Sequence, residues 1–136
     1  MVINAELFTA NLDSKGIKYM TDELPDNGTV VTVMSKAGAT HVFFDSDDDG
    51  QHVAFRTRLE SCPEDKVADM LMVCNVLNGK YRWLKFYVNL DDNNIMVEDD
   101  AILSPETAGE ECFELLGRTV NILDEVKPLI MKVIYA

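Results

Sequence analysis

The chain has 136 residues, of which 47% are hydrophobic, and 24 acidic against 12 basic residues give a net charge of −12. This length and hydrophobic content predict one domain, residues 1–136, with a real core, and they exclude a disordered chain. Because the negative charge repels phosphate backbones and anionic lipid, we expect neither nucleic acid nor a membrane as a partner.

The three cysteines, Cys62, Cys74 and Cys112, are odd in number and form no Cys-x-x-Cys pair. This pattern disfavours a disulfide framework and a structural zinc site, and it favours buried thiols in a reducing cytosol. The N-terminus lacks a secretory pattern, and no apolar run approaches the roughly 20 residues that span a bilayer. We therefore expect a cytoplasmic protein without a metal or cofactor.

The first predicted element is a helix from Ala5 to Ser14, with Asn4 as its N-cap and Gly16 as its stop. A short extended piece over residues 17–19 follows, and then a loop from Asp22 to Gly28.

The next segments predict three antiparallel strands in a meander. Thr29 to Ser35 is rich in β-branched residues, His41 to Phe44 follows a turn at Gly38, and Gln51 to Leu59 alternates most clearly. One set of side chains in the third strand should face the core: Val53, Phe55, Thr57 and Leu59.

A second helix is predicted from Val67 to Asn78, ending at Gly79. Ser61 and Glu64 have the spacing of a capping box before it. Its apolar side chains occupy most of the circumference, so we expect burial on two sides. The sheet would cover one side of this helix, and another helix or a second subunit would cover the other side. The residues assigned to a subunit interface are Met72, Val73 and Val76.

A hairpin is predicted after this helix, with strands from Tyr81 to Asn89 and from Ile95 onward around a turn at Asp91 to Asn94. Alternation places Leu84, Phe86 and Val88 on one face and Tyr81, Trp83 and Tyr87 on the other. Acidic residues 98–100 are expected to keep the sheet edge soluble.

The third helix is predicted to begin at Ser104-Pro105-Glu106. Pro128 predicts a kink or break near Asp124 to Lys127. The complete order is α-β-β-β-α-β-β-α, which indicates an α+β fold with helices packed on one antiparallel sheet.

The centre of the chain resembles the YbjN-like family, which is catalogued as a group of bacterial sensory transduction regulators. The Asn-x-x-Asn of that family is similar to Asn75-Val76-Leu77-Asn78. Further similar segments are the Tyr81 to Val88 strand, the acidic turn, Ile95 to Asp100, and Ser104 to Thr107. The resemblance covers residues 67–127, and the first half agrees in element order.

The resemblance implies a fold similar to that of type III secretion chaperones. Those chaperones are small, acidic and often dimeric, and they bind an extended effector segment along their surface. No reaction is assigned to YbjN-like proteins, so the resemblance carries over no catalytic residue.

A cationic and aromatic face is the first candidate site. It would unite residues of the third meander strand and of the hairpin, and such groups are enriched where proteins bind other proteins or peptides. The alternative is that these groups pack under the third helix or pair with local acids. The candidate partner-binding residues are Arg56, Arg58, Trp83, Lys85 and Tyr87.

Three weaker candidates each have a structural explanation. Asp45 to Gly50 matches the first half of a calcium-binding EF-hand loop, but Arg56 stands where the bidentate glutamate would be, which favours a solvated turn. Asn75 and Asn78 could contact a ligand, although we expect them to serve the backbone. No carboxylate or cysteine lies at metal-ligand spacing from His41 or His52, so we expect both histidines to be ordinary strand residues.

The sequence thus favours a non-enzymatic, chaperone-like or regulatory domain that binds a protein or peptide and forms a homodimer. Two alternatives stay open: a small-molecule or divalent-cation binder, and an enzyme whose site assembles only in space.

Overall fold

The computed structural model describes residues 1–46 and 51–136, which form three α-helices and six strands. The elements in chain order are α1 (Ile3–Ser14), β1 (Met20–Glu23), β2 (Thr29–Ser35), β3 (Gly38–Phe44), β4 (His52–Ser61), α2 (Val67–Lys80), β5 (Lys85–Asn89), β6 (Asn94–Ile102) and α3 (Ala108–Ile134). A single 3₁₀ turn, Glu64–Lys66, precedes α2.

All six strands belong to one antiparallel sheet with the order β1-β2-β3-β4-β6-β5. The helices pack on one face of this sheet, and the apolar core lies between them. The predicted α+β class, the β2-β3-β4 meander and the β5-β6 hairpin are therefore confirmed.

The core consists of two neighbouring clusters. One joins α1 and the first half of α3 to β2, β3 and β4, with Phe8 and Phe44 among its fully buried rings. The other joins α2 and the second half of α3 to β5 and β6, with Met70 and Phe86 at its centre. The inward set predicted for β4 is confirmed, since all four side chains are at most 2% exposed.

Two strand predictions were wrong. The extended piece was predicted at residues 17–19 and the loop from Asp22, whereas β1 covers Met20–Glu23, whose four exposed residues give no periodic pattern. Its strand geometry comes from pairing with β2, with Met20 opposite Thr32. The strand predicted from Tyr81 begins only at Lys85, because the chain leaving α2 must turn before it can pair with β6.

Two of the three predicted helix starts were wrong, while α2 begins at Val67 as predicted but without the predicted cap. α1 begins at Ile3 and buries Asn4, so Asn4 is not an N-cap. Ser61 ends β4 instead of capping α2, and the Glu64 carboxylate accepts a hydrogen bond of 2.5 Å from Asn93. α3 begins at Ala108, four residues after the predicted cap.

The expected helix breakers do not end their helices. α2 continues through Gly79 to Lys80, and α3 is unbroken across Pro128. Pro128 itself is exposed, so the amide that it lacks is on the solvent side, while the flanking Val126 and Ile130 are fully buried. Packing therefore holds the last turns of α3 in place, and the predicted break is wrong.

Candidate partner-binding surfaces

The face of the sheet opposite the helices carries a row of charged residues. Arg56 of β4 lies opposite Glu98 of β6, which in turn lies opposite Lys85 of β5. Tyr87 and Arg58 belong to the neighbouring row, on either side of Met96. Four of the five predicted partner-binding residues therefore share this open sheet face.

Glu98 is the hub of an ion-pair network on the open sheet face. Its carboxylate lies 3.4 Å from Arg56 Nε and 3.1 Å from Lys85 Nζ, and it accepts a hydrogen bond of 2.7 Å from the Tyr87 hydroxyl. Burial raises the pKa of Glu98, but the hydrogen bonds from Tyr87 and Lys85 outweigh burial and leave the pKa below its ordinary value. The carboxylate therefore stays ionised and orients these three side chains.

The two arginines of this face also have local partners. Arg56 Nη1 donates to Asp100 Oδ1 at 2.6 Å, and Arg58 donates to Asn94 at 2.9 Å and Ser61 at 2.6 Å. These contacts orient the cations along the sheet. The binding of another protein by this face stays a prediction.

Trp83 lies apart from the open sheet face. It precedes β5, and its ring is 5.8 Å from the guanidinium of Arg118 on α3. Tyr81 likewise packs on the helical side, with its ring 6.0 Å from that of Phe86 and its hydroxyl donating to Glu125. The predicted alternation of Tyr81, Trp83 and Tyr87 on one face was therefore wrong, because β5 begins after Trp83.

Two adjacent clefts meet at Trp83, which is 56% exposed. The first, of about 300 Å³, lies between the end of β6 and α3. It is lined by Trp83, Ala101, Ile102, Glu111, Glu114, Leu115 and Arg118. The second, of about 380 Å³, lies beside the start of β5. It is lined by Arg56, Arg82, Trp83, Leu84, Lys85, Glu98, Asp99 and Asp100.

Asp99 is the unusual residue of the second cleft. It was expected at an exposed edge, yet it is only 8% exposed, and its Oδ2 has no hydrogen-bond partner among the described residues. Burial, together with the charge of Asp100, raises the pKa of Asp99 from its ordinary value of 3.8 to about 6. The alternation of β6 predicts this inward position, since Asp99 lies between the core residues Val97 and Ala101.

Replacing Asp99 with asparagine should stabilise the protein above pH 6. Because the pKa of Asp99 is raised in the folded protein, the contribution of Asp99 to stability is fully present below pH 4. This contribution is lost as the pH rises through about 6. We expect Asp99→Asn to gain about 2 kcal/mol over the wild type at pH 8 and almost nothing at pH 4. Urea unfolding of both proteins at the two pH values measures this gain, and an equal difference at pH 4 and pH 8 would contradict it.

His52 is bracketed by two carboxylates that are distant in sequence. Its Nδ1 lies 2.6 Å from Asp45 Oδ2, and its Nε2 lies 3.4 Å from Asp100 Oδ2. The hydrogen bond with Asp45 is the main reason that the pKa of His52 is raised. His41 instead shares a hydrogen bond of 2.9 Å with Thr32 of β2. Spacing along the chain could not reveal either contact, because both cross between elements.

The two asparagines of the Asn-x-x-Asn motif have different environments. Asn78 Nδ2 donates to the Phe86 carbonyl at 2.9 Å, and the Phe86 amide donates to Asn78 Oδ1 at 2.7 Å. Asn75 is exposed on α2, as Asn78 is, but its side chain makes no hydrogen bond to the described residues. Asn78 therefore serves the backbone of a neighbouring strand, joining α2 to β5.

The EF-hand-like turn falls on Asp45 to Gly50, and residues 47–50 lie outside the described part of the chain. Within the described ranges, no group of three or more His, Cys, Asp or Glu side chains is placed to hold a metal ion. No helix of the described residues is long and apolar enough to cross a membrane.

The outer face of α2, formed by Leu71, Met72 and Val76, is apolar and exposed. The exposed fractions of these side chains are 45%, 70% and 66%. Val73, the third residue predicted for a subunit interface, is half-buried and packs against the core. The sheet and α3 cover the inner side of α2, while the second cover expected from the sequence is missing from the described residues of a single chain.

Comparison with known proteins identifies one family and one fold. The family model for YbjN, described as "Putative bacterial sensory transduction regulator", matches residues 4–130. The chain is also similar to the structure described as "Crystal structure of YbjN, a putative transcription regulator from E. coli". The two chains are 13% identical, each is covered to 91%, and the TM-score is 0.60. At this identity the similarity establishes the fold alone. No curated protein matches the chain.

Proposed function

The chain belongs to the YbjN family, and from this membership we propose that it is a non-enzymatic domain that binds another protein in a chaperone-like or regulatory role. In this proposal residues 1–136 form one cytoplasmic domain that works as a homodimer. The description of the family as a regulator supports a binding role, since regulators act through their contacts with other molecules.

The observation that carries the proposal is the exposed apolar face of α2. Leu71, Met72 and Val76 are large apolar side chains on consecutive turns of one helix, and each is at least 45% exposed. Contiguous apolar surface of this kind on a folded chain marks an interaction site. A second copy of α2 can cover it across a two-fold axis, because an isologous interface matches a patch with itself.

The partner protein would then bind elsewhere, and two features support the open sheet face and the neighbouring Trp83. Arg56, Lys85 and Tyr87 are held in fixed positions by Glu98, so that binding loses little side-chain entropy. Trp83 lies off this face but is exposed, and it lines the second cleft together with Arg56 and Lys85.

Light scattering coupled to size exclusion tests the dimer. We expect the wild type to have twice the 15.3 kDa mass of one chain. Val76→Glu should have the mass of one chain, because two buried, unpaired carboxylates would face each other across the interface. Val76 is preferable to Val73 as the test position because it does not contribute to the core.

Met34→Glu is the matched control, since Met34 is 65% exposed on β2, at a distance from α2 along the sheet. It should leave the dimer intact. A wild type with the mass of one chain would remove the dimer from the proposal, and the α2 face would then be the first place to search for the partner protein.

A further inference from the structure

The two strands of the β5-β6 hairpin have unequal lengths. β5 has five residues and β6 has nine. Pairing between them runs from Asn89 opposite Asn94 to Lys85 opposite Glu98 and stops there. On this side of β6, residues 99–102 have no partner strand in the described part of the chain, although β4 pairs with them on the other side.

The direction of the main-chain groups follows from the contacts of Asn78. Both the N–H and the C=O of Phe86 bond to the Asn78 side chain, so they point away from β6. In an antiparallel pair these directions alternate along the strand. The groups of Lys85 therefore point toward Glu98, and those of Glu98 point toward Lys85.

The same alternation continues along β6. The N–H and C=O groups of Asp100 and Ile102 point toward the side where β5 has ended, and those of Asp99 and Ala101 point toward β4. An independent bond confirms this assignment, since the amide of Leu103 donates to the Gln51 carbonyl at 2.7 Å, on the β4 side. The unpaired edge formed by Asp100 and Ile102 thus has two outward acceptors and two outward amides, of which the Asp100 amide also interacts with the Asp99 carboxylate.

The unpaired edge lies between the two clefts that meet at Trp83. Ile102, 79% exposed, and Leu115 line the first cleft. The second cleft contains the buried Oδ2 of Asp99, which has no hydrogen-bond partner among the residues that the structure describes. A buried carboxylate oxygen requires a donor, and the chain charge of −12 favours a cationic one.

We propose that this unpaired edge binds an extended peptide by strand addition. The peptide continues the line of β5 and bonds the main-chain groups of Asp100 and Ile102. One of its apolar side chains enters the cleft between Trp83 and Leu115, and a Lys or Arg two residues away, on the same face of the added strand, approaches Asp99. Main-chain bonds supply affinity in this mode, and the side-chain clefts supply specificity. The inference rests on the proposed protein-binding function and specifies the chemistry of the partner.

Peptide selection with the full chain tests the inference. The probe is a phage-displayed library of random heptapeptides, and we expect selected sequences that combine an apolar residue with a Lys or Arg two positions away. The affinity of a synthetic copy is then measured by fluorescence anisotropy for the wild type, Ile102→Pro and Ile102→Thr. Because the Ile102 amide points outward, proline removes no bond to β4 and is tolerated at such an edge.

We expect Ile102→Pro to weaken peptide binding at least about tenfold, which corresponds to one lost hydrogen bond of about 1.4 kcal/mol. Ile102→Thr keeps the amide and should bind within about threefold of the wild type. Circular dichroism establishes that both variants fold. A peptide methylated at alternate main-chain amides should also fail to bind the wild type. This second test does not depend on the folding of any variant.

Three results would overturn the inference: selection that enriches no peptide, equal binding by Ile102→Pro, and equal binding by the methylated peptide. Peptides that bind independently of Ile102 would leave the proposed protein-binding function standing while removing this edge as its site. Light scattering of Ile102→Pro distinguishes peptide binding from strand addition by a second copy of the chain. A change of mass in this variant would assign the edge to self-association and would contradict the proposal that it binds a peptide.

Discussion

Asn78→Ala should lower the free energy of unfolding by about 3 kcal/mol. The Asn78 amide makes two hydrogen bonds, at 2.7 and 2.9 Å, to the main chain of Phe86, a residue that is only 1% exposed. Alanine would leave one donor and one acceptor on the outer edge of β5 without partners in the described part of the protein. Each such group costs about 1–3 kcal/mol, which is more than a typical hydrogen bond contributes.

Asn75→Ala is the matched control because Asn75 belongs to the same motif and helix and is exposed like Asn78, but its side chain makes no hydrogen bond to the described residues. We expect a change within about 0.5 kcal/mol. Urea unfolding of the wild type and both variants measures the difference. Equal effects of the two substitutions would show that the motif does not stabilise the α2–β5 junction through Asn78.

Hydrogen exchange locates the effect of Asn78→Ala within the fold. The Phe86 amide should lose protection more than the amides of β2 and β3, because its acceptor is the side chain that has been removed. Loss of protection spread evenly over all strands would instead indicate global destabilisation.

Gly109→Ala should also destabilise the protein by about 3 kcal/mol, through a different mechanism. A Cβ atom on Gly109 would lie 2.6 Å from the main-chain oxygen of Leu7 and 3.0 Å from its carbonyl carbon. These atoms belong to the backbone of α1, so no side chain can rotate out of the way. α1 and α3 would have to separate, and the core between them would loosen.

Gly117→Ala provides the control within the same helix. A Cβ atom there would meet no heavy atom of the described residues within 4 Å beyond the adjacent backbone of its own helix, so alanine should raise stability by about 0.5–1 kcal/mol through its higher helix propensity. Thermal unfolding of the two variants compares the effect of alanine at a crowded glycine of α3 with its effect at an open one. A stabilised Gly109→Ala would mean that the close approach of α1 and α3 does not persist in solution.

The interaction surfaces of the chain differ in how far the sequence could reveal them. Apolar residues on the outer side of α2 were visible from composition, because Met72 and Val76 fall outside the inward stripe of Met70, Cys74 and Leu77. The unpaired edge of β6 was not visible, since it depends on where β5 begins. No pattern in residues 81–84 indicates that pairing stops at Lys85, because that limit is set by the path from α2 into the sheet.

The sequence by itself determined the α+β class, the meander, the hairpin and the inward face of β4, because hydrophobic periodicity and turn residues act locally. Tertiary structure decided β1, whose exposed residues become a strand only through pairing with β2. It also decided the continuity of α3 across Pro128, where buried neighbours on both sides hold the helix. The pairing of His52 with Asp45 and Asp100, and the burial of Asp99, likewise arise between elements whose contacts are long-range in sequence. Local propensity is a weak term at such positions, and packing outweighs it.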